Sequence, residues 1–125
     1  MNKHQEEASF QAKLKKTAIR NYLFSYSGHD SPLTSSKLQS IFHVGDVVVR
    51  QAIGLLRDDG EPIGSCSKGF FYAKTPDQLL GTLNDFRSRI GALAMRLRAL
   101  EGTYDRMDGN KPQQALFQDM EAIKK

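Results

Sequence analysis

The stretch from residue 34 to residue 59, TSSKLQSIFHVGDVVVRQAIGLLRDD, decides the fold of this 125-residue chain. Its apolar residues recur at helical spacing in two blocks, which predicts a short helix, a tight turn and a longer second helix. Leu38 and Ile41 should face inward from the first helix, and Val44 should plug the turn. In the second helix one apolar stripe is predicted, formed by Val49, Ala52, Ile53 and Leu56.

This pattern is typical of the helix-turn-helix, whose second helix is offered to the major groove of DNA. On the outer face of that helix Arg50 is the first candidate for reading a guanine edge or a phosphate, and Gln51 could pair with adenine. Asp46 favours the helix dipole but repels phosphate. Val47 and Val48 offer only apolar contacts, so that they either touch thymine methyl groups or form a surface for a protein partner.

A β-hairpin is predicted directly after this helix. Ile63 lies in a short strand, residues 64–69 (GSCSKG) form a loop of small residues, and residues 70–73 (FFYA) form an aromatic strand. Lys68 lies near the tip of the loop. A hairpin that follows a recognition helix is a wing, and its lysine could contact the DNA backbone.

These pieces together resemble the winged helix-turn-helix domain of the biotin-operon-repressor type, and small phage-type regulators look similar. That family has a valine plug, a Val-Arg pair in the recognition helix, a Leu-Arg-x-x-Gly exit and a Lys-Gly-aromatic closing strand. The corresponding residues here are Val44, Val49-Arg50, Leu56-Arg57-Asp58-Asp59-Gly60 and Lys68-Gly69-Phe70. The resemblance covers residues 33–73, about a third of the chain, and implies DNA binding without naming an operator.

The start of the first helix of the motif adds further candidate contacts. Thr34, together with Ser35 or Ser36, can cap this helix, and the hydroxyls and N-terminal amides could also hold a phosphate, with Lys37 nearby. The full set of candidate DNA-binding residues is Ser35, Ser36, Lys37, Gly45, Asp46, Val47, Arg50, Gln51 and Lys68.

The formal charge of +4 is concentrated in residues 1–27, since basic and acidic residues cancel over residues 28–74. A helix is predicted from about Phe10 to Tyr26, after frayed polar residues 1–8. Its inward stripe is expected to be Leu14, Ala18, Ile19, Tyr22 and Leu23, and the opposite, basic face Lys13, Lys16 and Arg20. That face could contact phosphate, although a solvated surface is the more common role of such residues.

Composition limits the class of protein. With 39% hydrophobic and 26% charged residues the chain should be globular, and it has no apolar run of about 18 residues that could span a membrane. The single cysteine, Cys66, cannot form an internal disulfide, which fits a reducing cytoplasm. The resemblance to small phage-type regulators implies the cytoplasm of a bacterium or of a phage-infected host. No metal-ligand spacing, nucleophile pattern or phosphate-binding loop is present, so we expect no metal, no cofactor and no enzymatic activity.

A heptad repeat follows the hairpin. Thr75-Pro76-Asp77-Gln78 is a typical helix start, and large apolar residues then alternate at steps of four and three, as in a coiled coil. This seam consists of Leu79, Leu83, Phe86, Ile90, Leu93, Leu97, Leu100, Tyr104 and Met107. It predicts self-association in an orientation that the flanking charges leave open. Alternatively, the seam packs on the same chain.

The predicted fold is therefore mainly α with a small β-hairpin. A winged helix-turn-helix domain occupies residues 8–74, a long heptad-repeat oligomerisation helix residues 75–107, and a turn with a short C-terminal helix residues 108–125. The expected function is that of a homodimeric, sequence-specific regulator of transcription that binds double-stranded DNA and no membrane. The alternatives are a winged-helix adaptor for another protein, or a replication or partition accessory protein that does not read DNA sequence.

Overall fold

The structure, a computed structural model, describes residues 2–109. Four helices and one antiparallel hairpin follow one another as α1 (Lys3–Tyr26), α2 (Ser35–Phe42), α3 (Asp46–Asp58), β1 (Ile63–Cys66), β2 (Gly69–Tyr72) and α4 (Pro76–Asp108). The prediction of a mainly α fold with a small β-hairpin and a long helix is confirmed. The chain divides into two units between Asn84 and Asp85. The predicted C-terminal helix lies outside the described residues.

α3 supplies the largest share of the buried core in the first unit. The predicted stripe is confirmed, because Val49, Ala52, Ile53 and Leu56 are all buried. Val48 is buried as well, which corrects its placement on the outer face. The core is completed from the other elements by Ala12, Ile19, Leu23, Leu38, Ile63 and Phe70. α3 is thus covered by α1 on one side and by α2 and β1 on the other.

The turn between α2 and α3 is formed by a left-handed residue rather than by glycine. His43 has φ 55° and ends α2. Gly45 is extended and is the N-cap of α3, so that the helix itself begins at Asp46. Val44 packs against the core as the half-buried plug that the sequence predicts. Ile41, by contrast, is exposed, so the prediction that it faces inward is wrong.

α1 is longer than predicted and is rotated relative to the predicted stripe. Asn2 and Gln5 form a reciprocal capping box, with the Gln5 amide 2.9 Å from Asn2 Oδ1, so residues 3–8 are helical rather than frayed. Ile19 is fully buried, but Leu14 is 59% exposed and Ala18 is also exposed. The helix turns its small Ala12 toward the core instead, and a small residue there allows close packing of helix on helix.

The hairpin has longer strands and a shorter loop than the glycines and serines suggest. Cys66 pairs with Gly69, which leaves only Ser67 and Lys68 in the turn. The small residues of β1 are needed because the Phe71 ring lies against Gly64, only 2.3 Å from where a Cβ would stand. The predicted loop at residues 64–69 is therefore mostly strand, with Lys68 at the tip.

Both edges of the hairpin are occupied. On the β2 edge, Leu33 and Phe70 exchange two backbone hydrogen bonds of 2.8 Å each. On the β1 edge, the Ser65 amide donates to Thr82 Oγ1 at 3.0 Å, and the Thr82 hydroxyl lies 3.3 Å from the Ser65 carbonyl oxygen, to which it donates. Thr82 is only 4% exposed. Satisfied edges leave the hairpin little tendency to add a strand from another chain, and they fix the first turns of α4 on the hairpin.

Gly69 is the glycine on which this arrangement most depends. Its φ of +132° is open only to glycine, and a Cβ would lie 2.3 Å from the Leu33 carbonyl oxygen. Gly69→Ala should therefore destabilise the protein by about 2–3 kcal/mol, which corresponds to a fall in Tm of roughly 10 °C or more. Gly81→Ala in α4 is the control, since its Cβ meets no atom within 4 Å and should be neutral or stabilise by up to about 1 kcal/mol. Equal melting temperatures for Gly69→Ala and the unmodified protein would contradict the bridge to Leu33.

Candidate nucleic-acid interface

The outer face of α3 is open to solvent over its first turns, where Asp46, Val47 and Arg50 are exposed, whereas Gly54 further along is half-buried. The buried residues occupy one side of the helix, so Val47, Arg50 and Gly54 lie on the opposite side. Val47 is 58% exposed and Arg50 is exposed beside it. A helix of 13 residues is about 20 Å long, which is long enough to lie in a major groove.

A hydrogen-bond network joins the start of α2 to the first turns of α3. The Arg50 Nε donates to both carboxylate oxygens of Asp46, at 2.9 Å and 3.1 Å. The Ser35 hydroxyl donates to the same carboxylate, and Gln39 Nε2 donates to Ser35 Oγ at 3.1 Å and to Asp46 Oδ1 at 3.4 Å. Ser35, Asp46 and Arg50, three of the predicted site residues, are thus brought into direct contact.

This network keeps Asp46 ionised. The hydrogen bond from Ser35, followed by that from Arg50, holds the pKa of the Asp46 carboxyl below its usual range. The carboxylate therefore does not act as an isolated negative charge at the end of the helix. Its nearest cation is the Arg50 guanidinium, which also lies 5.9 Å from the centroid of the Phe70 ring.

The remaining predicted residues are placed around this network. Ser36 and Lys37 are exposed in the first turn of α2, where Thr34 Oγ1 accepts a hydrogen bond from the Lys37 amide and confirms the predicted cap. Lys68 is exposed at the hairpin tip. None of the salt bridges between described residues includes either lysine.

Two predicted residues lie at the margins of the face. Gln51 is half-buried in a shallow groove between α1 and α3, together with Ser9 and Lys13. Gly45 borders a second groove, on the side of His4 and of the turn before α3. Gln51 follows Arg50 directly, so its side chain points about 100° further round the helix, toward α1.

Two of the three residues of the predicted basic face of α1 are paired with acids, while the third, Lys13, is exposed. Lys16 Nζ lies 2.7 Å from Asp59 Oδ2, and Arg20 Nε lies 3.3 Å from Glu61 Oε2. These two side chains border the buried side of α1 and reach the residues that follow α3, which corrects their placement opposite the core. Their positive charge is balanced within the first unit, and the proposal that they contact phosphate loses its support.

Arg20 is further held by aromatic rings and a shared hydrogen-bond partner. Its guanidinium carbon lies 4.9 Å from the centroid of Phe24 and 5.2 Å from that of Tyr72. The Tyr72 hydroxyl donates to Glu61 at 2.6 Å. This bond, together with Arg20, keeps the pKa of the Glu61 carboxyl below its usual range, so the cluster is a structural link between α1 and the hairpin.

The heptad seam of α4 is exposed in the single chain. Leu79 is half-buried, and the other eight seam side chains are exposed by 40 to 83%. They are Leu83, Phe86, Ile90, Leu93, Leu97, Leu100, Tyr104 and Met107. These seam side chains are thus exposed among the described residues. The C-terminal helix that the sequence predicts as a possible cover lies outside those residues. No helix among residues 2–109 is long and apolar enough to cross a membrane.

Comparisons with protein-family models, with curated proteins and with solved structures found no match to this chain.

Proposed function

We propose that this chain is a homodimeric winged helix-turn-helix regulator of transcription that binds double-stranded DNA. In this proposal α3 lies in the major groove, the hairpin contacts the backbone, and α4 joins two copies. The observation that carries the proposal is the solvent-exposed face of α3, on which Arg50 is held in place next to the start of α2. Such a protein would act in the cytoplasm of a bacterium or of a phage-infected host.

The distribution of charge around this face supports contact with DNA. Lys37 and Lys68 are exposed on the two elements that flank α3, where they could neutralise phosphates on either side of a groove. The acids Asp59 and Glu61, near the other end of α3, are paired with basic residues of α1. Few cations lie beside the outer face of α3. We therefore expect the affinity for DNA to depend on salt as it would for a small number of phosphate contacts.

The seam of α4 supports pairing with a second copy. Eight large apolar side chains in this stripe are 40 to 83% exposed. Monomeric soluble proteins rarely expose a contiguous apolar patch of more than a few hundred Å², and larger patches mark interaction sites. Gly81 and Gly91 weaken an isolated helix by about 1 kcal/mol each, which is a further reason for α4 to pair.

A fluorescence-anisotropy titration tests the proposal. A labelled duplex of mixed sequence is titrated with the full chain at several salt concentrations. We expect the logarithm of the binding constant to fall linearly with the logarithm of the salt concentration, with a slope of about −0.9 per phosphate contacted. Absence of binding even at about 50 mM salt would refute DNA binding.

Lys68→Ala should weaken binding to all duplexes by a similar factor. The hairpin tip offers one charge to the backbone and no base-reading group, so the slope of affinity against salt should decrease by about one while sequence preference stays unchanged. Lys74→Ala is the matched control, since it removes the same charge just after β2, away from the tip. A change of sequence preference in Lys68→Ala would show that the hairpin reads bases.

A second candidate function is that of an adaptor for another protein. The exposed Val47 in the first turn of α3 favours it. The internal pairing of Lys16 and Arg20, which removes two cations from the surface of α1, favours it as well. An adaptor would show no salt-dependent binding to duplexes, and Arg50→Ala would leave its partner binding nearly intact.

A further inference from the structure

The Arg50 guanidinium uses one of its nitrogens within the protein and leaves the other two exposed. Only its Nε takes part in the hydrogen bonds found among residues 2–109, and both of those bonds go to Asp46. The two terminal nitrogens, Nη1 and Nη2, are therefore available for an external acceptor. Side-chain exposure of 62% places them in solvent on the outer face of α3.

The Asp46 carboxylate is itself held by hydrogen bonds from α2. The Ser35 hydroxyl and Gln39 Nε2 donate to the oxygen that also accepts from Arg50, so α2 holds the carboxylate in place. The guanidinium is planar and its donors form a rigid fork. With Nε bound to a fixed carboxylate, the orientation of the fork is set in the free protein. An arginine without such a partner would lose its rotational freedom only on binding.

The chemistry of the acceptor follows from this arrangement. A phosphate bound to Arg50 would lie next to the Asp46 carboxylate, and the two negative charges would repel each other. The O6 and N7 atoms of guanine are neutral acceptors that match two parallel N–H donors. A carboxylate next to the fork therefore disfavours a phosphate and tolerates a base.

We propose that Asp46 is a positioning residue that aims the terminal nitrogens of Arg50 at one guanine in each half-site of the DNA. This inference rests on the proposed function and deepens it, since it commits α3 to one G·C pair at a fixed position. A bidentate arginine–guanine contact discriminates against another base by about ten- to a hundredfold. Loss of the positioning carboxylate should remove most of that factor while leaving backbone contacts in place.

The test is a selection from a pool of random 30-base-pair duplexes by the full chain, followed by sequencing of the bound fraction. It is repeated with Asp46→Ala, with Arg50→Lys and with Asp58→Asn as the control. Asp58 is exposed at the end of the same helix, and its replacement removes the same charge. Arg50→Lys keeps the positive charge but lacks the fork.

We expect one invariant guanine per half-site with the unmodified chain and with Asp58→Asn. In Asp46→Ala and Arg50→Lys the same position should accept other bases, with a ten- to a hundredfold smaller preference, while the salt slope of binding is unchanged. An undiminished guanine preference in Asp46→Ala would overturn the positioning role even though DNA binding stands. Failure of the unmodified chain to enrich any duplex would overturn the proposed function and this inference together.

The free protein gives a second readout that needs no DNA. The Nε–H of Arg50 should exchange slowly with solvent in NMR spectra of the unmodified chain and rapidly in Asp46→Ala. Spectra in which the backbone amides outside α2 and α3 are unchanged would show that Asp46→Ala remains folded. Equally fast exchange of the Nε–H in both proteins would overturn the positioning role.

Discussion

Leu97→Asp is expected to convert the protein from a dimer to a monomer in sedimentation experiments. Leu97 lies in the middle of the exposed seam of α4, so a pair of chains would bring two aspartates into the apolar centre of the contact. Burying an uncompensated charge costs several kcal/mol per ion, which exceeds what one layer of leucines contributes to a coiled coil. Circular dichroism should show partial loss of helix as well, because in the proposed dimer each α4 would be stabilised by the other.

Met95→Asp is the matched control for this experiment. Met95 is also a large, apolar side chain and is 70% exposed, but its position in the heptad lies opposite the seam. Its replacement should leave the dimer mass unchanged. A dimer that persists in Leu97→Asp would show that the chains associate through another surface.

Arg50→Ala is the second substitution with a large expected effect. The side chain is the only candidate on the exposed face of α3 that can read a base edge with two donors, so its removal should lower affinity for a preferred duplex by about ten- to a hundredfold. Affinity for unrelated duplexes should fall much less. In a competition titration, the binding curves for the preferred and the unrelated duplex should therefore lie closer together than with the unmodified chain. The distance between them measures specificity directly.

Arg98→Ala provides the control for charge. It removes the same positive charge from an exposed position of α4 that lies off the seam, so it should change neither affinity nor specificity by more than a small factor. Equal effects of Arg50→Ala and Arg98→Ala would mean that α3 contributes only general electrostatic attraction.

Much of the fold was predictable because α3 and the hairpin are each defined by a strong local pattern. The apolar stripe of α3, the valine plug and the aromatic strand all follow from residue type and spacing. α1 was harder, because its buried face is marked by a small residue, Ala12, while the larger Leu14 lies on the exposed side. The larger side chain of Leu14 made the exposed side of the helix look like the buried one. Only the packing of α1 on α3 determines which side is buried.

In the candidate site, too, contacts between residues close in sequence were predictable and contacts between distant residues were not. The Asp46–Arg50 ion pair was accessible from the sequence, since residues four apart on a helix are neighbours. The bond from Ser35 to Asp46 spans eleven positions and depends on how α2 meets α3, which no local pattern gives. Likewise, the pairing of Lys16 with Asp59 joins residues 43 positions apart, so no local pattern shows that the charge of Lys16 is balanced.

Enrichment of random duplexes on the purified chain tests the central claim most directly, which is that two α3 helices of a dimer read DNA. We predict inverted repeats whose half-sites lie about one helical turn apart, roughly 10 base pairs centre to centre, and loss of that pattern with Arg50→Ala. A bound pool with the same sequence composition as the input, at low salt and with intact dimers, would contradict it.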